Sequence, residues 1–112
     1  MGSLHAGHSQ LIKVAKRIQT KNNSKVLVSV FVNPLQFGDG EDFDEYPRDL
    51  NRDSKFAFKS GANALWAPSV NEIFPKENKS FAKINAPEHL KTQICGLKRK
   101  GHFDGVATVI IR

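Results

Sequence analysis

Leu11, Val14, Ala15 and Ile18 recur at spacings of three and four, which predicts an amphipathic helix over roughly residues 8–20. Asn22, Asn23 and Ser24 are turn formers and close it. Residues 25–32 then run Lys-Val-Leu-Val-Ser-Val-Phe-Val without polar alternation. That is the pattern of a strand buried on both faces, as in a parallel sheet. A second helix is predicted over 48–60, with Leu50, Ala57 and Phe58 on one side and Gly61 as its stop. Residues 63–67 predict a second short strand, closed by Pro68, and Ser69 with Glu72 forms a capping-box pattern that predicts a helical turn before Pro75. Beyond Lys76 the pattern weakens. Residues 80–85 alternate like an edge strand, and 87–95 suit a short helix before Gly96. Residues 103–111 fit a helix by the spacing of Val106, Val109 and Ile110, and a strand by their β-branched content. Helix alternating with apolar strand implies an α/β fold with a mostly parallel sheet.

Composition narrows this little. The 112 residues suffice for one hydrophobic core, and 39% hydrophobic with 25% charged residues is ordinary for a globular chain. Cys95 is the only cysteine, so no internal disulfide forms and a reducing compartment, the cytoplasm, is expected. The longest apolar run, residues 26–32, is too short to span a bilayer, no secretory signal is evident, and Ala6 stands where a myristoylation signal needs Ser or Thr. The net charge of +6 raises the possibility of nucleic-acid binding. The basic residues are scattered, however, and only Lys98-Arg99-Lys100 forms a dense cluster. Solvated faces account for most of them, while the excess would also favour an anionic substrate such as ATP.

Candidate chemistry concentrates in Met1-Gly2-Ser3-Leu4-His5-Ala6-Gly7-His8. Histidines three apart share one side of a forming helix turn. A helix N-terminus offers unpaired N–H groups and partial positive charge to a phosphate, and glycine lets backbone approach it closely. The competing reading is a surface turn with two polar side chains. Residues 33–46 form a long irregular stretch with Pro34, Gly38, Gly40 and the acidic residues Glu41, Asp42, Asp44 and Glu45 among others, beginning where the apolar strand ends. Loops at that end of α/β strands line the ligand crevice, and a loop this long is more often functional than idle.

The opening octapeptide resembles the His-x-Gly-His element of the nucleotidyltransferase superfamily. The run Phe31-Val-Asn-Pro-Leu-Gln36-Phe-Gly38, then Asp42-Phe-Asp-Glu-Tyr46-Pro-Arg48, then Gly101-His-Phe-Asp-Gly-Val-Ala-Thr-Val109, in this order and spacing, resembles the pantothenate synthetase (pantoate–β-alanine ligase) family over essentially the whole chain. The resemblance implies a Rossmann-like nucleotidyltransferase fold and a two-step ligation through pantoyl adenylate. It makes Met1 through His8 the ATP-contacting turn, with His5 and His8 as donors to the α-phosphate and His8 as the acid assisting pyrophosphate departure. Gln36 matches the family glutamine that contacts pantoate beside the β-alanine position, a task suited to an amide that both donates and accepts. Asn33 and Tyr46 are further substrate candidates, each with a packing or turn-forming alternative, and Phe37 is expected to pack beneath the loop.

Arg99 and His102 match a family loop and are candidates for anionic ligand groups, with a solvated basic patch as the alternative. Lys100 replaces the proline usual there. Asp42, Asp44 and Glu45 read better as a solvated acidic loop than as a metal site, because Mg²⁺ in ATP chemistry is held largely through the phosphates. No metal site within the chain is expected, and Cys95 is expected to be a packed thiol. Against the family pattern, the strand preceding the octapeptide, the Gly-Glu-Lys-Asp and Met-Ser-Ser-Arg-Asn segments and the C-terminal domain are missing. Residues 1–112 thus read as part of an N-terminal nucleotide-binding domain whose isolated activity is doubtful. The resemblance further implies a homodimeric parent, in some bacterial relatives fused to cytidylate kinase. Rival readings are another nucleotidyltransferase of the superfamily, against which the Asn33–Gln36 loop argues, and a basic nucleic-acid-binding fragment.

Overall fold

The computed structural model describes residues 1–19, 24–38, 40–41, 43–76, 81–93 and 95–112, the last span without the Cys95 side chain. The expected turn at Asn22 and Asn23, Asp42 of the acidic loop, Ser80 and the packed Cys95 thiol lie outside the described parts. The chain divides into two compact units, residues 1–31 with 47–68, and residues 32–46 with 69–112.

The first unit holds α1 (Ala6–Ile18), β1 (Leu27–Ser29), α2 (Leu50–Ser60) and β2 (Ala64–Trp66). The strands pair in parallel, Leu27 opposite Ala64, Val28 opposite Leu65 and Ser29 opposite Trp66. Flanking bonds extend the ladder: Val30 N–H donates to the Trp66 carbonyl, and Asn63 N–H to the Val26 carbonyl, each at 2.8 Å. Asn63 closes the register with its side chain, whose Oδ1 accepts from Val26 N–H at 2.9 Å. Leu4, Ile12, Val26, Ala57 and Ala62 form the buried core, with Val28, Val30, Phe56 and Leu65 packed on it. The α2 helix begins at Asp49, whose side chain caps Arg52 N–H, and ends at Gly61 in the left-handed conformation, as its sequence implied.

Three expectations are corrected here. The α1 helix spans Ala6–Ile18 and buries Ile12, whereas Leu11 and Ile18 remain 69% and 70% exposed. Likewise β1 is not buried on both faces. Alternate residues of a strand point to opposite sides; those at Val26, Val28 and Val30 meet the core, while Leu27 stays 60% exposed. No described element of the unit covers that second side. On α2 the inward positions are Asp53, Ala57 and Ser60, spaced four and three, so Leu50 and Phe58 stay about half exposed instead of packing with Ala57. Ser60 Oγ there donates to Ser9 Oγ of α1 at 2.9 Å.

The second unit contains a 3₁₀ turn (Pro34–Gln36), α3 (Val70–Ile73), α4 (Glu88–Lys91), α5 (Cys95–Lys98) and α6 (His102–Ile110). Ser69 and Glu72 form the expected capping box of α3, each side chain bonded to the other's backbone N–H. The predicted segment at 87–95 becomes α4 followed by α5. The ambiguous terminal segment is a helix, and its side chains explain why the described part of the expected edge strand at 80–85, residues 81–85, forms no strand. Thr108 Oγ1 accepts from Ile84 N–H at 3.0 Å, and Asp104 Oδ1 accepts from Ala86 N–H at 2.7 Å. Backbone donors that a strand partner would have taken are thus satisfied by α6. Asp104 also pairs with Lys91 of α4 at 3.2 Å, and Arg112 donates to the Ile73 carbonyl while lying over the Phe74 and Phe81 rings.

Candidate functional site

In the first unit the opening octapeptide forms a sharp turn into α1. Gly2 and Ser3 both have positive φ, 87° and 50°. A side chain on Gly2 would meet Asp53 Oδ2 and Val30 Cγ1, each 3.1 Å from the position of its Cβ, so conformation and space both demand glycine. The turn is fastened from α2 by Asp53, whose Oδ2 accepts from Ser3 N–H at 2.8 Å and whose Oδ1 accepts from Leu4 N–H at 2.7 Å. Leu4 is buried in the core below.

His5 is the N-cap of α1. Its Nδ1 accepts from Gly7 N–H at 3.1 Å, and His8 Nδ1 accepts from His5 N–H at 3.2 Å. The two histidines therefore build the reciprocal capping arrangement usually made by Ser or Thr with Glu. Occupied Nδ1 acceptors fix the neutral tautomer, leaving each ring an Nε2–H donor. The ring centroids lie 4.0 Å apart. Burial holds the His8 pKa below the ordinary histidine value, the neighbouring His5 adds to this, and Asp53 opposes it. No acidic residue stands in the first turn of α1, while Lys16 and Arg17 sit in its last. No acid of α1 itself offsets the positive end of its macrodipole, which lies beside the two histidine rings. Two imidazole N–H groups at a thirteen-residue helix N-terminus suit a phosphate better than a cation.

In the second unit Gln36 ends the 3₁₀ turn. Asn33 is almost fully buried, and its side chain makes three bonds: Oδ1 accepts from Leu35 N–H, and Nδ2 donates to Gln36 Oε1 and to the Gly105 carbonyl, all at 3.0–3.1 Å. Its polar capacity goes to shaping the loop. By taking the Gln36 side-chain oxygen, Asn33 orients that amide so that its –NH₂ end is the donor on offer. Gly105 lets α6 press against the turn: a Cβ there would lie 2.1 Å from the Leu35 carbonyl oxygen.

Arg99 and His102, read as candidates for anionic ligand groups, are placed on the same loop. Arg99 pairs with Glu41 through two bonds of 2.7 and 3.1 Å and also donates to the Gln36 carbonyl at 3.2 Å. His102 Nδ1 lies 3.0 Å from that carbonyl, close enough to donate to it. The central cation of the only dense basic cluster is thereby engaged by a carboxylate, which weakens the case for a nucleic-acid surface. The bond from Arg99 holds the Glu41 carboxyl below its usual pKa, with Gly38 N–H adding to it. Phe37 packs as expected, edge-on to Phe43 and to Tyr46 at centroid distances of 5.2 and 5.8 Å, with the Arg99 guanidinium over its ring. Tyr46 therefore stands at the aromatic base of the loop.

Asp44 and Glu45 are exposed, and among the described residues no three His, Cys, Asp or Glu converge as a metal site would require. Asp53 and Gly105 are site-shaping residues that sequence reading missed. The only trace of the first is an acid on the face of α2 that otherwise carries Ala57 and Ser60.

The pantoate-beta-alanine ligase family model matches residues 1–112. A bifunctional pantoate ligase/cytidylate kinase of Prochlorococcus marinus strain NATL1A is 58% identical over all 112 residues, and one of Synechococcus sp. strain CC9605 is 54% identical. The chain spans 22% of the length of each. Pantothenate synthetase from Thermus thermophilus superposes with a TM-score of 0.82 at 46% identity, covering all of this chain and 38% of that one. The pantoate-beta-alanine ligase of Francisella tularensis, solved with beta-gamma ATP and beta-alanine, matches with a TM-score of 0.82 at 37% identity over 99% of this chain and 40% of that one. Matched from end to end by the family model and superposing on solved pantothenate synthetases, the chain belongs to the pantoate–β-alanine ligase family.

Proposed function

We propose that the protein containing this chain condenses pantoate with β-alanine at the expense of ATP, through a pantoyl adenylate. The observation that carries the reading is the reciprocal histidine cap, which leaves two Nε2–H donors at the positive end of α1. In the first half-reaction a pantoate carboxylate oxygen attacks the α-phosphorus and the bond to pyrophosphate breaks. Charge on the phosphoryl oxygens is what needs stabilising, and preorganised donors supply that. Met1 through His8 form the ATP-contacting turn, with His5 and His8 on the α-phosphate. His8 is neutral near pH 7 in the free protein, and a bound polyanion raises its pKa toward protonation. On protonation the His8 Nδ1 gives up its capping bond to His5 N–H, and the imidazolium so formed is the acid that assists pyrophosphate departure.

In the second half-reaction the β-alanine amine attacks the acyl carbon and AMP leaves. Gln36 contacts pantoate next to the amine, Asn33 orients that amide, and Tyr46 supports the loop from beneath. Arg99 and His102 act on the substrates through their hold on the Gln36 carbonyl. Mg²⁺ enters with the nucleotide phosphates. The assignment extends to a homodimeric cytoplasmic enzyme, and residues 1–112 serve as part of its nucleotide-binding domain; among the described residues no helix is long and apolar enough to cross a membrane.

Isotope exchange between pyrophosphate and ATP in the full-length protein tests the reading. Exchange should require pantoate, and exchange independent of pantoate would refute the substrate assignment. His8→Ala should lower the exchange rate at least about a hundredfold while shifting the ATP dissociation constant less than about fivefold. Equal losses would remove the acid role.

A further inference from the structure

We propose that Asp53 is a positioning residue for the histidine turn, clamping the backbone of Ser3 and Leu4 so that His5 and His8 present their Nε2–H groups together. The inference rests on the ligase reading for its activity test but on the geometry of the first unit for its substance. Asp53 is 2% exposed and comes from a helix 49 residues away in sequence from the nearer of its two partners. Each carboxylate oxygen is taken by one main-chain N–H, from the two residues immediately before the N-cap. The segment it grips is unfavourable on its own. Ser3 is the only non-glycine residue with positive φ among the described residues, and such a conformation persists only where its surroundings over-determine it.

The charge of Asp53 is supported in turn by its position in the first turn of α2, at the positive end of that helix. A carboxylate is needed because two adjacent N–H groups require two acceptors. Asparagine would turn an –NH₂ against one of them and leave a buried donor unsatisfied. With both oxygens occupied by the turn, Asp53 is not poised as a metal ligand or general base, and its effect reaches the phosphate only through the backbone it holds.

The test uses the full-length protein, isotopically labelled, with Asp53→Asn. If the inference holds, the folded variant shows the Ser3 and Leu4 amide protons moved upfield as their charge-assisted bonds are lost. Its turnover in pantoate-dependent pyrophosphate exchange falls at least about tenfold, while the pantoate KM changes less than about twofold. Unchanged amide shifts, or a turnover that falls only in proportion to the folded fraction, would overturn it. Should Asp53→Asn fail to fold, Gly2→Ala, whose added Cβ would lie 3.1 Å from Asp53 Oδ2, must shift the Ser3 and Leu4 amide protons together with the loss of turnover; wild-type amide shifts in that variant also overturn the inference. If the wild-type protein shows no pantoate-dependent exchange, the ligase reading fails, and the amide shifts still decide whether Asp53 holds the turn.

Discussion

His8 carries the clearest consequence at the scale of single residues. Its pKa is lowered mainly because the ring is partly desolvated, and its Nδ1 accepts a capping bond that protonation would abolish. A group whose folded pKa is depressed contributes stability that is fully present above its unfolded value, about 6.5 for histidine. That contribution is lost as pH falls through the lower folded value. An NMR titration of the 112-residue chain is therefore expected to give a His8 midpoint below about 6.5 and a loss of stability on acidification through that window. His8→Gln should flatten this part of the profile. The histidines were legible in the sequence as a pair on one side of a helix turn because their spacing of three is a local property. Their reciprocal capping was not, since it depends on which ring nitrogen turns inward.

Between elements, close approach of backbone decides more than propensity. The α6 helix meets the 3₁₀ turn at Gly105, where an added Cβ would sit 2.1 Å from a carbonyl oxygen that belongs to backbone. Alanine would ordinarily strengthen a helix by about 1 kcal/mol over glycine. Overpacking against rigid backbone costs about 1–3 kcal/mol or more, so the clash should win. Gly105→Ala is thus expected to lower the urea midpoint and to displace the Gln36 loop, visible as changed amide shifts at Leu35 and Gln36. The same segment shows why its sequence was ambiguous. Val106, Val109 and Ile110 satisfy both periods over so short a stretch, and the choice of helix rests on Gly105 against Leu35 and on Thr108 and Asp104 accepting from Ile84 and Ala86.

Over the whole molecule the first unit keeps an uncovered apolar stripe, with Leu11, Ile18 and Leu27 each more than half exposed. A contiguous apolar surface of this kind binds hydrophobic dyes and lowers solubility. The 112-residue chain should enhance the fluorescence of anilinonaphthalene sulfonate at neutral pH. Leu11→Lys combined with Ile18→Lys should reduce that enhancement several-fold with helix content unchanged by circular dichroism. Retained enhancement would place the dye elsewhere.

From the sequence by itself came the α/β alternation, the caps at Ser69 and Gly61, the histidine turn and the loop bearing Gln36. Each is written in spacings of a few residues, where local sterics and hydrogen bonding dominate. Tertiary structure alone decided which side of α1, β1 and α2 is buried, because that depends on elements distant in the chain. It also placed Arg99 and His102 on the Gln36 carbonyl, a contact between residues more than sixty positions apart. The histidine turn itself is the clearest division between the two: its donors are local, but the Asp53 clamp that holds them comes from a helix far along the chain, and only folding brings a carboxylate to those two N–H groups.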